Sequence, residues 1–227
     1  MKRAPSARLA AVAAAVLIAA PALSTDASPA AAAPHRTNAT PSTAMPAIGA
    51  EIPSNMTGAN SVIELSDEVI KANLTGGIKQ RTEVDPHRSP ARSVLLRTTD
   101  FHLEGTSPDR EFKVTIALKD ADTHAQSNLR LMSAAPPRFT EHDVIVVTVT
   151  VERRDEPALT LESHTPLSLS CSGMTQFPPV DNRFELERQV DLYAPGATAP
   201  SGHIRALPTV RGGNVITPQS PPSLPLP

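Results

Sequence analysis

The sequence predicts an all-β protein: a single immunoglobulin-like β-sandwich of about seven strands, with a short helix before it and disordered termini. Two observations carry this prediction. Between residues 92 and 194 apolar and polar residues alternate with period two, as in strands that bury one face. The five Phe and one Tyr of the chain all fall in this window as well. Regularly spaced short strands separated by turn residues are typical of a β-sandwich or barrel.

Individual strands differ in how clearly they are marked. Residues 112–118 carry an apolar residue at every second position, which predicts a half-buried strand. Residues 144–151 are almost continuously apolar and β-branched, which predicts a central strand covered on both faces. The other strand candidates lie at residues 93–104, 129–131, 159–161, 167–171 and 184–192.

A short helix is predicted over residues 66–74, just before this window. Ser66 can cap it, and the carboxylates of Asp67 and Glu68 suit the positive end of a helix dipole. A glycine pair at positions 76 and 77 provides a stop. The alternative is a strand over residues 61–65 followed by a loop.

The amino terminus has the form of a secretory signal peptide over residues 1–24. Lys2, Arg3 and Arg8 precede an apolar run of 12 residues, and Ala22-Leu23-Ser24 is a suitable cleavage site. A membrane-spanning helix needs about 20 apolar residues, so this run is too short to be one. We therefore expect a periplasmic or secreted protein with no membrane span after cleavage.

Proline-rich segments flank the predicted domain. Residues 25–60 are rich in Ala, Pro and Ser and predict a disordered linker, and residues 195–227 predict a disordered tail. Between them, residues 61–91 hold the short helix and a connecting segment, and residues 92–194 hold the sandwich. The 24 prolines are about twice the number expected for this length.

Composition and charge exclude several classes of protein. The net charge of the 227-residue chain is −2, and signal cleavage leaves 18 basic against 23 acidic residues, which makes nucleic acid an improbable partner. A single cysteine excludes an intramolecular disulfide and a multi-cysteine zinc site. The short motifs of zinc peptidases, α/β-hydrolases and nucleotide-binding loops are absent.

No catalytic, cofactor-binding or metal-binding residue is assigned from the sequence. Asp120, Asp122 and His124 share one loop, to which Asp100 and His102 could add ligands, but Asp-rich loops are usually turn formers. No cofactor is therefore predicted.

The lone thiol, Cys171, alternates with Leu167 and Leu169, which predicts that it is buried and unreactive.

Charged residues on both sides of the apolar run at 144–151 are interpreted as guards against aggregation. These are Asp143 on one side and residues 152–154 on the other. His142 lies between Glu141 and Asp143, and this tripeptide is interpreted as a solvated segment leading into the strand.

These features together favour an exported, non-enzymatic binding or accessory module of the cell envelope. Its expected partner is another envelope protein or a second copy of itself. Two alternatives remain open. One is a hydrolase or metal-dependent enzyme whose site is assembled from loops, and the other is a subunit of a surface polymer or fibre.

Overall fold

The computed structural model describes residues 42–119 and 126–212, and every regular element in these ranges is a strand. The all-β prediction is confirmed. None of the described residues belongs to a helix of the length and apolarity that crossing a bilayer would require. The thirteen strands are β1 (Glu51–Leu65), β2 (Glu68–Val84), β3 (Ser93–Thr106), β4 (Phe112–Leu118), β5 (Ser127–Ala134), β6 (Pro137–Ile145), β7 (Val147–Arg153), β8 (Leu159–Ser163), β9 (Leu167–Met174), β10 (Asn182–Leu186), β11 (Val190–Tyr193), β12 (Gly202–Ala206) and β13 (Thr209–Arg211).

The strands form one antiparallel sheet that closes on itself twice. β12 pairs with β1, and β3 pairs with β5, in addition to the pairings of the linear order. The sheet therefore makes two closed rings of eight strands that share β1, β2 and β3. Ring one contains in addition β4, β7, β8, β11 and β12; ring two contains in addition β5, β6, β9, β10 and β13.

The three shared strands are long because each runs through both rings. In β1, residues 56–58 pair with β13 of ring two, and residues 62–65 pair with β12 of ring one. In β3, residues 93–96 pair with β5 of ring two, and residues 102–106 pair with β4 of ring one. β2 lies between β1 and β3 along almost its whole length.

The rest of the chain passes repeatedly from one ring to the other. After β4 it crosses at every second connection, so that β5–β6 and β9–β10 are hairpins of ring two, whereas β7–β8 and β11–β12 are hairpins of ring one. One crossing, between β6 and β7, takes the single residue Val146. The run at 144–151 is thus not one central strand but the end of β6 in ring two and most of β7 in ring one.

Two glycines allow β2 and β3 to approach closely where the rings meet. A Cβ on Gly76 would lie 1.9 Å from the carbonyl oxygen of His102, and a Cβ on Gly105 would lie 1.9 Å from that of Asn73. Any side chain at these two positions would collide with the facing backbone, so only glycine fits there. The glycine at position 76 therefore continues a strand and does not end a helix.

The predicted short helix is wrong. Residues 66 and 67 form the tight turn between β1 and β2, with Leu65 paired to Glu68, and the residues that follow belong to β2. Ser and Asp are favoured in turns as well as at helix caps, so the local signal is ambiguous. These residues form a strand because β2 pairs with its neighbours along 17 residues. An isolated helix of under three turns would be unstable by comparison.

The seven-strand sandwich and its boundaries also need correction. The described residues form thirteen strands in two closed rings, and the domain extends beyond residues 92–194 at both ends. β1 occupies part of the predicted linker at 25–60, and β12 and β13 lie inside the predicted tail at 195–227. Low aromatic content was a poor guide here, because short aliphatic and polar side chains fill these strands. The predicted signal peptide at 1–24 lies outside the described residues.

Candidate functional site

A cluster of buried charged side chains crosses the interior of ring two. Arg211 of β13 donates hydrogen bonds to Glu141 and Asp143, both on β6, and Gln80 of β2 donates from Nε2 to Asp143 Oδ1 over 2.7 Å. All four side chains are 0% exposed. β2, β6 and β13 are not neighbours in the sheet, so these bonds run through the space that ring two encloses.

The alternation of strands places these groups inside. Along β6 the buried residues are Phe139, Glu141, Asp143 and Ile145, whereas the residues between them are partly exposed. The two carboxylates therefore occupy positions that an apolar side chain would normally fill. His142 points outward instead, and its Nε2 lies 3.2 Å from Glu187 Oε2.

Burial governs the charge of the cluster. It raises the pKa of Glu141 to about 8, with the nearby Asp143 carboxylate adding to this rise and Arg211 opposing it. Burial also opposes the charge of Arg211, but the Asp143 and Glu141 carboxylates outweigh it and hold the pKa of Arg211 above its usual value. The cluster therefore joins one cation to two carboxyl groups, and burial favours the protonated form of Glu141.

The guanidinium of Arg211 also lies over the face of an aromatic ring. Its Cζ lies 4.4 Å from the ring centroid of Phe184 on the neighbouring strand β10. A cation over an aromatic face is attracted by the ring quadrupole. Arg211 thus has a fixed orientation, which leaves its Nε available for a further hydrogen bond.

Several polar atoms of ring two lack partners. Seven buried side-chain polar atoms in the described residues have no hydrogen-bond partner. Five of these belong to fully buried residues of ring two: Gln80 Oε1, Thr98 Oγ1, Glu141 Oε2, Thr209 Oγ1 and Arg211 Nε. Such groups in native proteins usually bind water or a ligand, because leaving them unpaired costs about 1–3 kcal/mol each.

Cys171 lies on the same ring. It faces Glu141 across the β6–β9 pair and is 8% exposed, so the prediction of a buried thiol is confirmed. Burial, together with the Glu141 carboxyl, raises the pKa of Cys171 to about 11. A thiol in this state reacts only slowly as a nucleophile at neutral pH.

Of the residues considered as metal ligands, the described structure includes the two on β3. Asp100 and His102 are exposed on β3, and residues 120, 122 and 124 lie outside the described residues. Within the described ranges, no group of three or more His, Cys, Asp or Glu side chains has the geometry to hold a metal ion.

Sequence reasoning missed the residues that form the cluster. Asp143 is not an exposed guard of the apolar run but a buried partner of Arg211, and Glu141 is not solvated. The available signal was the period of two from Phe139 to Ile145, which places both acids on the apolar face. Sequence reasoning does not identify Arg211, because this residue lies in the segment 195–227, whose composition predicts disorder.

Comparison with known proteins establishes a likeness of fold only. The structure of DynF, from the dynemicin biosynthesis pathway of Micromonospora chersina, matches with a TM-score of 0.54 at 13% sequence identity. The match covers 77% of this chain and 84% of that one. No family model matches the sequence. No curated protein matches it either.

Proposed function

We propose that this protein is an exported, non-enzymatic binding module of the cell envelope, and that the interior of ring two is where it binds. The component that it binds is a small molecule. The observation that carries the proposal is the set of five buried polar atoms without partners, which all belong to this one ring.

The architecture of ring two is one that can hold a small ligand. A closed ring of eight strands encloses a space that is either filled by side chains or just wide enough for one small molecule. The atoms left without partners come from β2, β3, β6 and β13, so they surround the interior from several sides. A ligand among them would satisfy several groups at once.

Binding through a sheet edge has less support. Each of the thirteen described strands has a neighbour on both sides. Strand addition requires an unpaired sheet edge. The two closing pairings of this sheet leave no long edge strand among the described residues. The proposed export depends on the signal peptide predicted from residues 1–24.

Native mass spectrometry of the protein recovered from an exporting host tests this function. We expect a chain that lacks residues 1–24 and carries a bound small molecule that denaturation releases. The variant Arg211→Met should carry less of it, while Arg205→Met, which removes an exposed arginine of β12, should carry as much as the wild type. An unprocessed chain would contradict export, and a processed chain free of any small molecule would contradict the binding role.

A further inference from the structure

We infer that ring two binds an uncharged group with both hydrogen-bond donors and acceptors, such as a carboxamide. This inference rests on the proposed function and names the chemistry of its ligand. It follows from the charges already present in the ring and from the kinds of atom that lack partners.

The charges of the cluster exclude an anion. Arg211 is the one cation among the buried residues of ring two in the described structure, and it already contacts two carboxyl groups. The cluster is neutral when Glu141 is protonated and negative when it is not. A carboxylate or phosphate ligand would add negative charge to a buried site with no free cation, which is strongly unfavourable.

The unpartnered atoms include both hydrogen-bond donors and hydrogen-bond acceptors. Gln80 Oε1 can only accept, and Arg211 Nε can only donate. The hydroxyls of Thr98 and Thr209 can do either, and a protonated Glu141 can donate. A carboxamide supplies an N–H group for Gln80 and a carbonyl oxygen for Arg211.

Three probes of similar size test the class of ligand: propanamide, propanoate and propylammonium. We expect propanamide alone to raise the midpoint of thermal unfolding, because binding to the folded state stabilises it. Thr209→Val should reduce this shift, and Thr75→Val, an exposed threonine of β2, should leave it unchanged. Stabilisation by propanoate or propylammonium and not by propanamide would overturn the inferred class. No shift with any probe would overturn it too, and native mass spectrometry would then show separately whether the binding role survives.

A second inference, which also rests on the proposed function, comes from a different feature, the segment at residues 42–50. We propose that this segment, termed the strap, closes one end of ring two and must move for a ligand to enter. At its start, Ser42 exchanges two backbone hydrogen bonds of 2.8 Å with Phe177, which follows β9. At its end, Gly49 donates to the carbonyl of Thr82, and Thr82 donates to that of Ala50.

The two anchors lie on opposite sides of the ring. Around ring two, β2 and β9 are separated by three strands in one direction and by three in the other. The residues at both anchors belong to the same end of the ring, where β2 and β9 finish. The strap therefore crosses the opening. Met45 within it is partly buried and packs on the core.

Few contacts hold the strap in place. The bonds are four between backbone groups, plus one from the Thr82 hydroxyl, which is shared between the carbonyl oxygens of Ala47 and Ala50. The other end of ring two continues into ring one through β1, β2 and β3. The strapped end is thus the way in that needs the smallest rearrangement.

The thiol of Cys171 reports on this opening, since it lies in β9 only three residues from the strapped end, or about 10 Å along a strand. We expect Met45→Ala to make alkylation of Cys171 by iodoacetamide several-fold faster, and Ile48→Ala, an exposed strap residue, to leave the rate unchanged. Hydrogen exchange should show the amides of Gly49 and Thr82 opening before those of β4. An unchanged alkylation rate in Met45→Ala, or strap amides that exchange only with global unfolding, would overturn the proposal.

Discussion

Ring one and ring two are built from equal numbers of strands, and they share three of them, yet among the described residues the buried charged side chains lie in ring two. Ring one encloses aliphatic side chains such as Ile63, Ile116, Val149 and Leu161, all 0% exposed. Ring two encloses Arg211, Glu141 and Asp143 at the same degree of burial. Closure of a sheet therefore does not require a polar interior, and the charged cluster of ring two needs an explanation of its own.

Stability gives no such explanation. Buried ion pairs rarely stabilise a fold more than apolar residues of the same volume do. Ring one shows that this chain can fill a ring with apolar residues. The polar interior of ring two is more simply understood as a binding site, and the following experiments test that contrast.

The largest effect should come from breaking the cluster on one side. Arg211→Met leaves two carboxyl groups buried without their cation, and we expect a loss of about 3–5 kcal/mol in the free energy of unfolding. Urea denaturation measures it. Lys79→Met, which breaks an exposed ion pair with Glu51, is the matched control and should change stability little.

Replacing the whole cluster should reverse that loss. The variant that combines Arg211→Met, Glu141→Leu and Asp143→Leu converts ring two into a copy of ring one in character. We expect it to recover most of the stability and to lose the ligand. A triple variant as unstable as Arg211→Met would show that the cluster holds the fold together, against our interpretation.

A somewhat smaller loss is expected in ring one. Ile116→Ala removes a fully buried side chain of β4 and should cost about 2–5 kcal/mol. Because this residue belongs to β4, which is not a strand of ring two, the bound ligand should remain. Loss of the ligand in this variant, at a temperature where it is still folded, would mean that the two rings are not functionally distinct.

For a change of one pH unit, the smallest effect, about 1.4 kcal/mol, is a pH dependence that belongs to ring two alone. The pKa of Glu141 is raised from 4.5 to about 8 in the folded state, so the unfolded chain releases this proton first. Relative to Glu141→Gln, the unfolding equilibrium constant of the wild type should rise by about tenfold per pH unit between these values. Below pH 4.5 the two should run parallel. Parallel curves throughout the range would mean that Glu141 is ionised in the folded protein, against our account.

The sequence predicts where the strands in the middle of the chain lie better than it predicts how those strands pair. Alternation marks β4 clearly, because one face of it is buried and the other exposed. The run at 144–151 looks like one strand, since nothing local distinguishes Val146 as a crossing point. Ring closure depends on pairings between residues as far apart as Glu64 and His203, which a local pattern cannot reveal.

The site was only partly visible for the same reason. Glu141 and Asp143 carry the right period, but acids on a buried face make sense only once Arg211 is known to face them. That arginine comes from β13, a strand of three residues in a proline-rich region. Cys171 was placed correctly, because its burial follows from the alternation of its own strand.

The most direct test of the central claim is a high-resolution crystal structure of the protein recovered from an exporting host. Our account predicts ordered density larger than water inside ring two, in contact with Gln80 Oε1 and Arg211 Nε, and none inside ring one. An interior of ring two that holds only water, or whose side chains satisfy one another completely, would contradict it.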